Sequence, residues 1–136
     1  MRMSMGVAAV FIAMSSLGWA AEYTKLTPAQ ILAEVKAGKA VIVDVREEPE
    51  WEEGHLKQAL WVPLSSLEGV DAKGRAMAMK DLPKDKAIYL HCRAGVRCMK
   101  AATLLEKDGV KAQAIKTPYP TLEKTFGRAM TPAKQP

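Results

Sequence analysis

Short runs of apolar residues alternate with amphipathic segments along most of the chain. Two of these runs, at 40–45 and 87–91, are rich in large apolar side chains, which is typical of strands buried on both faces. A second short strand is predicted at 60–62, and a weaker strand at 110–115. Because helical segments separate the strands, we expect a doubly wound α/β fold: a parallel sheet of about five short strands with helices on both faces.

The helical segments begin at recognisable sequence signals. The first predicted helix starts at Thr27-Pro28, where an N-capping residue precedes a proline. Residues 71–80 include Gly74 and many polar side chains, so we predict a surface loop there, and a loose tail after Gly127. The remaining periodic segments predict a helical turn at 65–68 and helices at 49–53, 97–107 and 120–126.

The N-terminal residues have the composition of an export signal. Arg2 precedes an uncharged run of apolar and small residues at 6–18, and small residues at the expected positions favour cleavage after Ala20. A membrane-spanning helix needs about 20 apolar residues, more than this run supplies. We therefore predict a cleaved signal peptide at 1–20, one domain at 21–136 and a periplasmic location. An uncleaved membrane anchor is the alternative.

Composition restricts the possible function classes. The chain has 136 residues, of which 49% are hydrophobic and 26% charged, so a disordered chain is excluded and one domain is expected. Two cysteines are too few for a disulfide-stapled miniprotein or a four-thiolate metal site. The net charge of +5 is not arranged in a basic stripe with aromatic residues, so nucleic-acid binding is not indicated. A small anionic substrate suits this charge, and we expect neither a metal nor a cofactor.

A cysteine stands where a predicted strand meets a predicted helix. The strand ending at His91 is followed by the segment Cys92-Arg93-Ala94-Gly95-Val96-Arg97. The helix N-terminus, the inward amides of a glycine-containing loop and two nearby guanidinium groups all favour a thiolate over a thiol. We therefore expect Cys92 to have a low pKa, to be reactive and to be open to solvent at the edge of the sheet.

This segment resembles the active-site loop of the rhodanese (sulfurtransferase) family, and upstream residues extend the resemblance. The match covers about residues 26–126 and is similar to an exported single-domain rhodanese. It departs from the family pattern at two places. One is Gln58, and the other is Thr117-Pro118, where relatives often have a glycine pair. The upstream elements, in the family's order, are Asp44-Val45-Arg46, Glu50-Trp51, Gly54-His55-Leu56, Ala59 and Val62-Pro63.

The resemblance implies a thiosulfate sulfurtransferase of the rhodanese type. The Cys92 thiolate would take the outer sulfur of thiosulfate or polysulfide as a persulfide and pass it to cyanide or a thiol. Loop residues 93–97 would bind the substrate, with Arg93 and Arg97 stabilising the leaving group. Related phosphatases have five residues between cysteine and arginine, whereas four stand here, which favours sulfur over phosphate.

Three other readings remain open. The first is a periplasmic thiol redox or sulfur-carrier protein that uses Cys92 and Cys98 without fast turnover and acts on a periplasmic thiol protein. The others are a non-catalytic binding module and a phosphatase. Cys98 itself could form a disulfide with Cys92, could resolve the persulfide, or could be a small buried residue of the helix face.

For several polar residues near the loop, both a structural and a functional interpretation are possible. Asp44 and Arg46 end a buried strand and are either a charge pair that orders the site or a structural ion pair. His55 is expected to hydrogen-bond backbone rather than to act as a base, because an ionised thiolate needs none. His91 should face away from Cys92 and pack in the core. The pair Met77 and Met79 is expected to pack on the core rather than to bind copper.

Overall fold

A parallel sheet forms the centre of the molecule in the computed structural model, which describes residues 20–130. Its four strands stand in the order β3-β1-β4-β5, and every pairing is parallel. A separate antiparallel pair joins β2 to β6. The strands are β1 (Ala40–Asp44), β2 (His55–Leu56), β3 (Ala59–Trp61), β4 (Ala87–His91), β5 (Gln113–Ala114) and β6 (Arg128–Ala129).

The predicted α/β class is confirmed, with one difference in strand number. The described parallel sheet has four strands, and a single bridge between Tyr23 and Ala114 extends it beyond β5. The helices are α1 (Pro28–Lys36), α2 (Glu48–Glu53), α3 (Ala72–Ala78), α4 (Val96–Lys107) and α5 (Tyr119–Phe126), with a 3-10 turn at Leu64–Ser66.

Helices cover both faces of the sheet, and each face has its own core. On one face α1 and α5 pack on β1 and β4, with Ile31, Ile42 and Leu122 fully buried among others. On the other face α4 and the 3-10 turn pack on the same strands, around Leu90, Cys98 and others. This arrangement leaves the carboxyl ends of β1 and β4 at one edge, where ligands bind in sheets of this class.

Two predicted irregular segments are regular in the structure. The sequence predicts a surface loop at 71–80, and that prediction is wrong because α3 lies there. The carboxylate of Asp71 accepts a hydrogen bond from the Gly74 amide at 2.8 Å, and this N-cap starts the helix despite the glycine. The tail after Gly127 is not loose at its start, because Arg128–Ala129 pairs with β2.

The predicted signal peptide lies outside the described residues except for Ala20. Between residues 20 and 130, no helix is long and apolar enough to cross a membrane. The predicted cleavage and periplasmic location therefore stay predictions.

Candidate active site

Gly95 shapes the turn between β4 and α4. It is the N-cap of α4 and has a φ of +92°, a left-handed conformation that glycine adopts without strain. A Cβ at this position would lie 3.3 Å from the Cα of Lys116, tighter than ordinary contact. The turn therefore requires glycine for its backbone angle and for its close approach to the neighbouring segment.

The turn directs backbone amides at the Cys92 sulfur. The Gly95 amide donates to Cys92 Sγ at 3.1 Å, and the Cys98 amide donates to the same atom at 3.4 Å. Hydrogen bonding from the Cys98 thiol and from the amides of Cys98, Gly95 and Ala94 lowers the pKa of Cys92 to about 5, against the opposing effect of burial. This sulfur is therefore ionised at neutral pH.

Two details of the predicted environment of Cys92 need correction. The residue is only 2% exposed, so the expectation of a solvent-open sulfur is wrong: the loop amides that bind the sulfur also cover it. Hydrogen bonding, and not the charge of the arginines, is the leading cause of the low pKa of Cys92. Arg93, Ala94 and Val96 form the exposed rim above the sulfur.

The two loop arginines have different environments. Arg97 makes two hydrogen bonds to the carboxylate of Glu50, at 2.5 and 2.9 Å, so its guanidinium is already shared with a side chain of α2. This pairing raises the pKa of Arg97 and lowers the pKa of Glu50. Arg93 is exposed and has no ion pair within residues 20–130. Of the two, Arg93 is the one available to an incoming anion.

Cys98 is a free, fully buried thiol in the first turn of α4. Its Sγ lies 3.4 Å from the carbonyl oxygen of Ile115. Hydrogen bonding to Cys92 and burial raise the pKa of Cys98 far above its ordinary value. A thiol held in its protonated form is a poor nucleophile, so this geometry favours a hydrogen-bond donor over a resolving thiol.

Asp44 and Arg46 form a buried ion pair at the end of β1. The guanidinium donates to both carboxylate oxygens, with the shortest contact at 2.8 Å, and it also donates to the Gly54 carbonyl at 2.8 Å. Its central carbon lies 4.0 Å from the centroid of the Tyr119 ring. The pair ties the strand end to the end of α2 and does not contact the Cys92 sulfur, which fits the structural reading.

The two histidines lie where the sequence predicts them. His91 is fully buried on the face opposite Cys92, with Nε2 at 3.7 Å from Asp44, and burial lowers its pKa. His55 Nδ1 lies 2.9 Å from the Trp51 carbonyl oxygen, and its ring stacks on that tryptophan. Both histidines therefore have structural partners.

The methionine pair divides between core and surface. Met79 packs against the core as expected, whereas Met77 is 64% exposed. Within residues 20–130, no group of histidine, cysteine and carboxylate side chains is arranged to hold a metal ion.

A charged cleft of about 490 Å³ adjoins the loop on the side of Arg93. Arg46, Tyr119 and Glu123 are among its walls, and the amide of Tyr119 donates to the Arg93 carbonyl at 2.9 Å. The segment that departs from the family pattern at Thr117-Pro118 leads into this wall, so it lies directly beside the loop.

Sequence reasoning missed three residues that support the loop. The hydroxyl of Tyr23 donates to the Gly95 carbonyl at 2.9 Å, Glu50 binds Arg97, and Tyr119 binds the backbone of Arg93. No local pattern marks Tyr23, which is 72 positions from its partner. Glu50 belongs to the upstream pattern that resembles the family, so the sequence marks its position. Its partner Arg97 could not be predicted from the sequence.

Comparison with known proteins agrees with the family that the sequence resembles. Residues 27–117, more than half of the chain, match the family model for the rhodanese-like domain. A tRNA uridine(34) hydroxylase from Erwinia tasmaniensis is 34% identical over 84 residues, which are 62% of this chain and 23% of that protein. The chain thus spans about a quarter of the length of the curated relatives it matches.

Solved structures share the fold over most of the chain. A Helicobacter pylori protein solved by NMR is 26% identical, with a TM-score of 0.60, and the match covers 81% of this chain and 92% of that one. A human single-domain sulfurtransferase is 24% identical, with a TM-score of 0.54, and the match covers 68% and 88% of the two chains.

Proposed function

The chain belongs to the rhodanese-like domain family, and on that premise we propose that it is a sulfurtransferase that carries sulfane sulfur on Cys92. Family membership supports a sulfurtransferase-type function in general. The amides that converge on Cys92 Sγ, together with its low pKa, are the observation that supports the more specific reaction. A thiolate at neutral pH is the form that attacks sulfur donors.

The proposed reaction has two steps. The Cys92 thiolate attacks the outer sulfur of thiosulfate, the S–S bond of the donor breaks, and sulfite leaves with the electron pair. A second nucleophile, cyanide or a thiol, then attacks the outer sulfur of the persulfide and regenerates the thiolate. This is covalent catalysis with a substituted-enzyme intermediate.

The chain's own residues have distinct roles in this proposal. The amides of Gly95 and Cys98 stabilise the Cys92 thiolate before the first step and after the second. Between the steps the negative charge lies on the outer sulfur of the persulfide. Arg93 is placed to attract the dianionic donor and to stabilise the sulfite that leaves. The donor approaches past the exposed rim formed by Arg93, Ala94 and Val96. Polysulfide, which also carries sulfane sulfur and negative charge, is a second donor of the same class.

The alternative of a redox or carrier protein that cycles a Cys92–Cys98 disulfide has less support. It requires Cys98 to act as a nucleophile, whereas hydrogen bonding and burial raise the pKa of Cys98. A periplasmic thiol protein as acceptor is compatible with either mechanism and stays a proposal.

Intact mass spectrometry tests the proposed intermediate. Incubation with thiosulfate should add one sulfur atom to the protein, and peptide mapping should place it on Cys92 and not on Cys98. Cyanide should then remove it as thiocyanate in equal amount. If the protein instead lost two hydrogens and gained no sulfur, a Cys92–Cys98 disulfide would have formed and the carrier alternative would be favoured.

A further inference from the structure

We propose that the end of the molecule opposite Cys92 is a docking surface for an anionic lipid bilayer. Parallel strands all start at the same end of a sheet, so the loops that precede β1, β4 and β5 meet there. The amide of Ala87, the first residue of β4, donates to the carbonyl of Lys39, just before β1, at 3.1 Å. These three loops, with the last turns of α1 and α4 that lead into them, carry seven lysines, called here the lysine pole: Lys36, Lys39, Lys80, Lys84, Lys86, Lys107 and Lys111.

Negative charges offset only part of the lysine pole. The same loops and helix turns contain five carboxylates: Glu34, Asp81, Asp85, Glu106 and Asp108. Asp108 is taken by Arg75, which donates to both of its carboxylate oxygens at 2.5 and 2.8 Å. Seven lysines therefore outnumber the four carboxylates at this end that are not paired with Arg75. A surface with this surplus attracts anionic lipid headgroups, to which each nearby lysine contributes.

An apolar cavity opens within the lysine pole. It has a volume of about 640 Å³, with Leu82, Ile88 and Val110 among its walls and Lys84 and Lys86 at its rim. Apolar walls beside lysines suit a lipid, whose phosphate binds the ammonium groups while its hydrocarbon enters the cavity. The cavity walls include no aromatic ring, so they offer no stacking surface for the bases of a nucleic acid.

The polypeptide enters the described fold at this same end. The Ala21 amide donates to Glu106 in the last turn of α4, and Tyr23 pairs in parallel with Ala114 of β5. Residue 20 therefore lies beside the start of β5, and the apolar run at 6–18 precedes it in sequence. With the lysine pole on a membrane, Cys92 at the opposite ends of the strands faces away from the lipid.

Vesicle sedimentation with the full-length chain tests the proposal. The probes are vesicles of phosphatidylcholine alone and vesicles containing phosphatidylglycerol. The difference between them is the readout, because the apolar run at 6–18 is common to every variant. The test variant is Lys39→Glu/Lys80→Glu/Lys84→Glu. The matched control, Lys25→Glu/Lys57→Glu/Lys100→Glu, changes net charge equally at exposed lysines elsewhere.

The two triple variants should differ in how much vesicle binding they lose. Phosphatidylglycerol-dependent binding should fall at least about 100-fold in the pole variant, since each lysine near an anionic surface contributes about fivefold. It should fall only slightly in the control variant. Equal losses in both variants, no binding by the wild type, or tighter binding to duplex DNA than to these vesicles would overturn the proposal. Sulfur transfer from thiosulfate should stay unchanged in both variants, so failure here is separate from failure of the proposed reaction.

Discussion

Replacement of Cys92 by serine should reduce sulfur transfer at least about 1000-fold, because the reaction has no other nucleophile in its path. A serine hydroxyl in the same place stays neutral at neutral pH, and the amides of Gly95 and Cys98 would then bind no charge. The variant should neither gain a sulfur atom from thiosulfate nor form thiocyanate from cyanide. Steady-state assay and intact mass measure the two losses separately.

The control for this variant is Met77→Ser, which places a serine at an exposed position of α3 away from the loop. It should keep the wild-type rate and the wild-type sulfur adduct. If Cys92→Ser folded normally and retained more than a small fraction of turnover, the persulfide mechanism would be wrong. Circular dichroism of both variants shows whether each one folds.

Replacement of Asp44 by asparagine should destabilise the fold by about 3–5 kcal/mol, because it leaves a buried guanidinium without its counter-charge. Asp44 is fully buried and Arg46 is 3% exposed, so water cannot compensate. The amide oxygen of the introduced asparagine and the Gly54 carbonyl can still accept hydrogen bonds from that guanidinium, but both are neutral. Urea unfolding at neutral pH measures the loss.

Two further variants test whether the loss of stability comes from the uncompensated charge of Arg46. Asp85→Asn, at an exposed position, should change the free energy of unfolding by less than about 0.5 kcal/mol. Adding Arg46→Met to Asp44→Asn should recover part of the stability, because the uncompensated charge is then gone. A loss below about 1 kcal/mol in Asp44→Asn would show that the pair contributes little and that Arg46 finds another partner.

The sequence predicts those parts of the fold that depend on local patterns. The apolar run at 87–91 corresponds to β4 at the predicted bounds, and α1 begins at Pro28 after its Thr27 cap. Cys92 follows from the same logic, since a cysteine between a buried strand and a glycine-containing turn sits at a helix N-terminus. The loop amides therefore lie on its sulfur as predicted.

Features that depend on distant partners could not be predicted in this way. β6 exists because Arg128–Ala129 pairs with β2, more than 70 positions earlier, and nothing within the tail itself signals that pairing. The helix α3 looked like a loop because Gly74 and polar side chains outweighed the Asp71 cap in a local reading. The burial of Cys92 follows from how tightly the loop closes on the sulfur, which spacing alone does not give.

The two cysteines illustrate the difference between composition and geometry. Two thiols six positions apart allow a disulfide, a resolving thiol or a buried helix residue. The structure places both as free thiols and gives them opposite pKa shifts: that of Cys92 is lowered and that of Cys98 is raised. One thiol that donates to a neighbouring thiolate explains both shifts, so we assign Cys98 a positioning role.

The central claim, that Cys92 is a thiolate at neutral pH and can be reached by a small molecule, is tested most directly by its alkylation rate as a function of pH. Iodoacetamide should modify Cys92 in the native full-length protein, with a half-maximal rate at a pH of about 5 and a plateau through neutrality. In Cys98→Ala the midpoint should move upward. A midpoint near the ordinary thiol value of 9.0, or no modification of Cys92 while the protein is folded, would contradict the account.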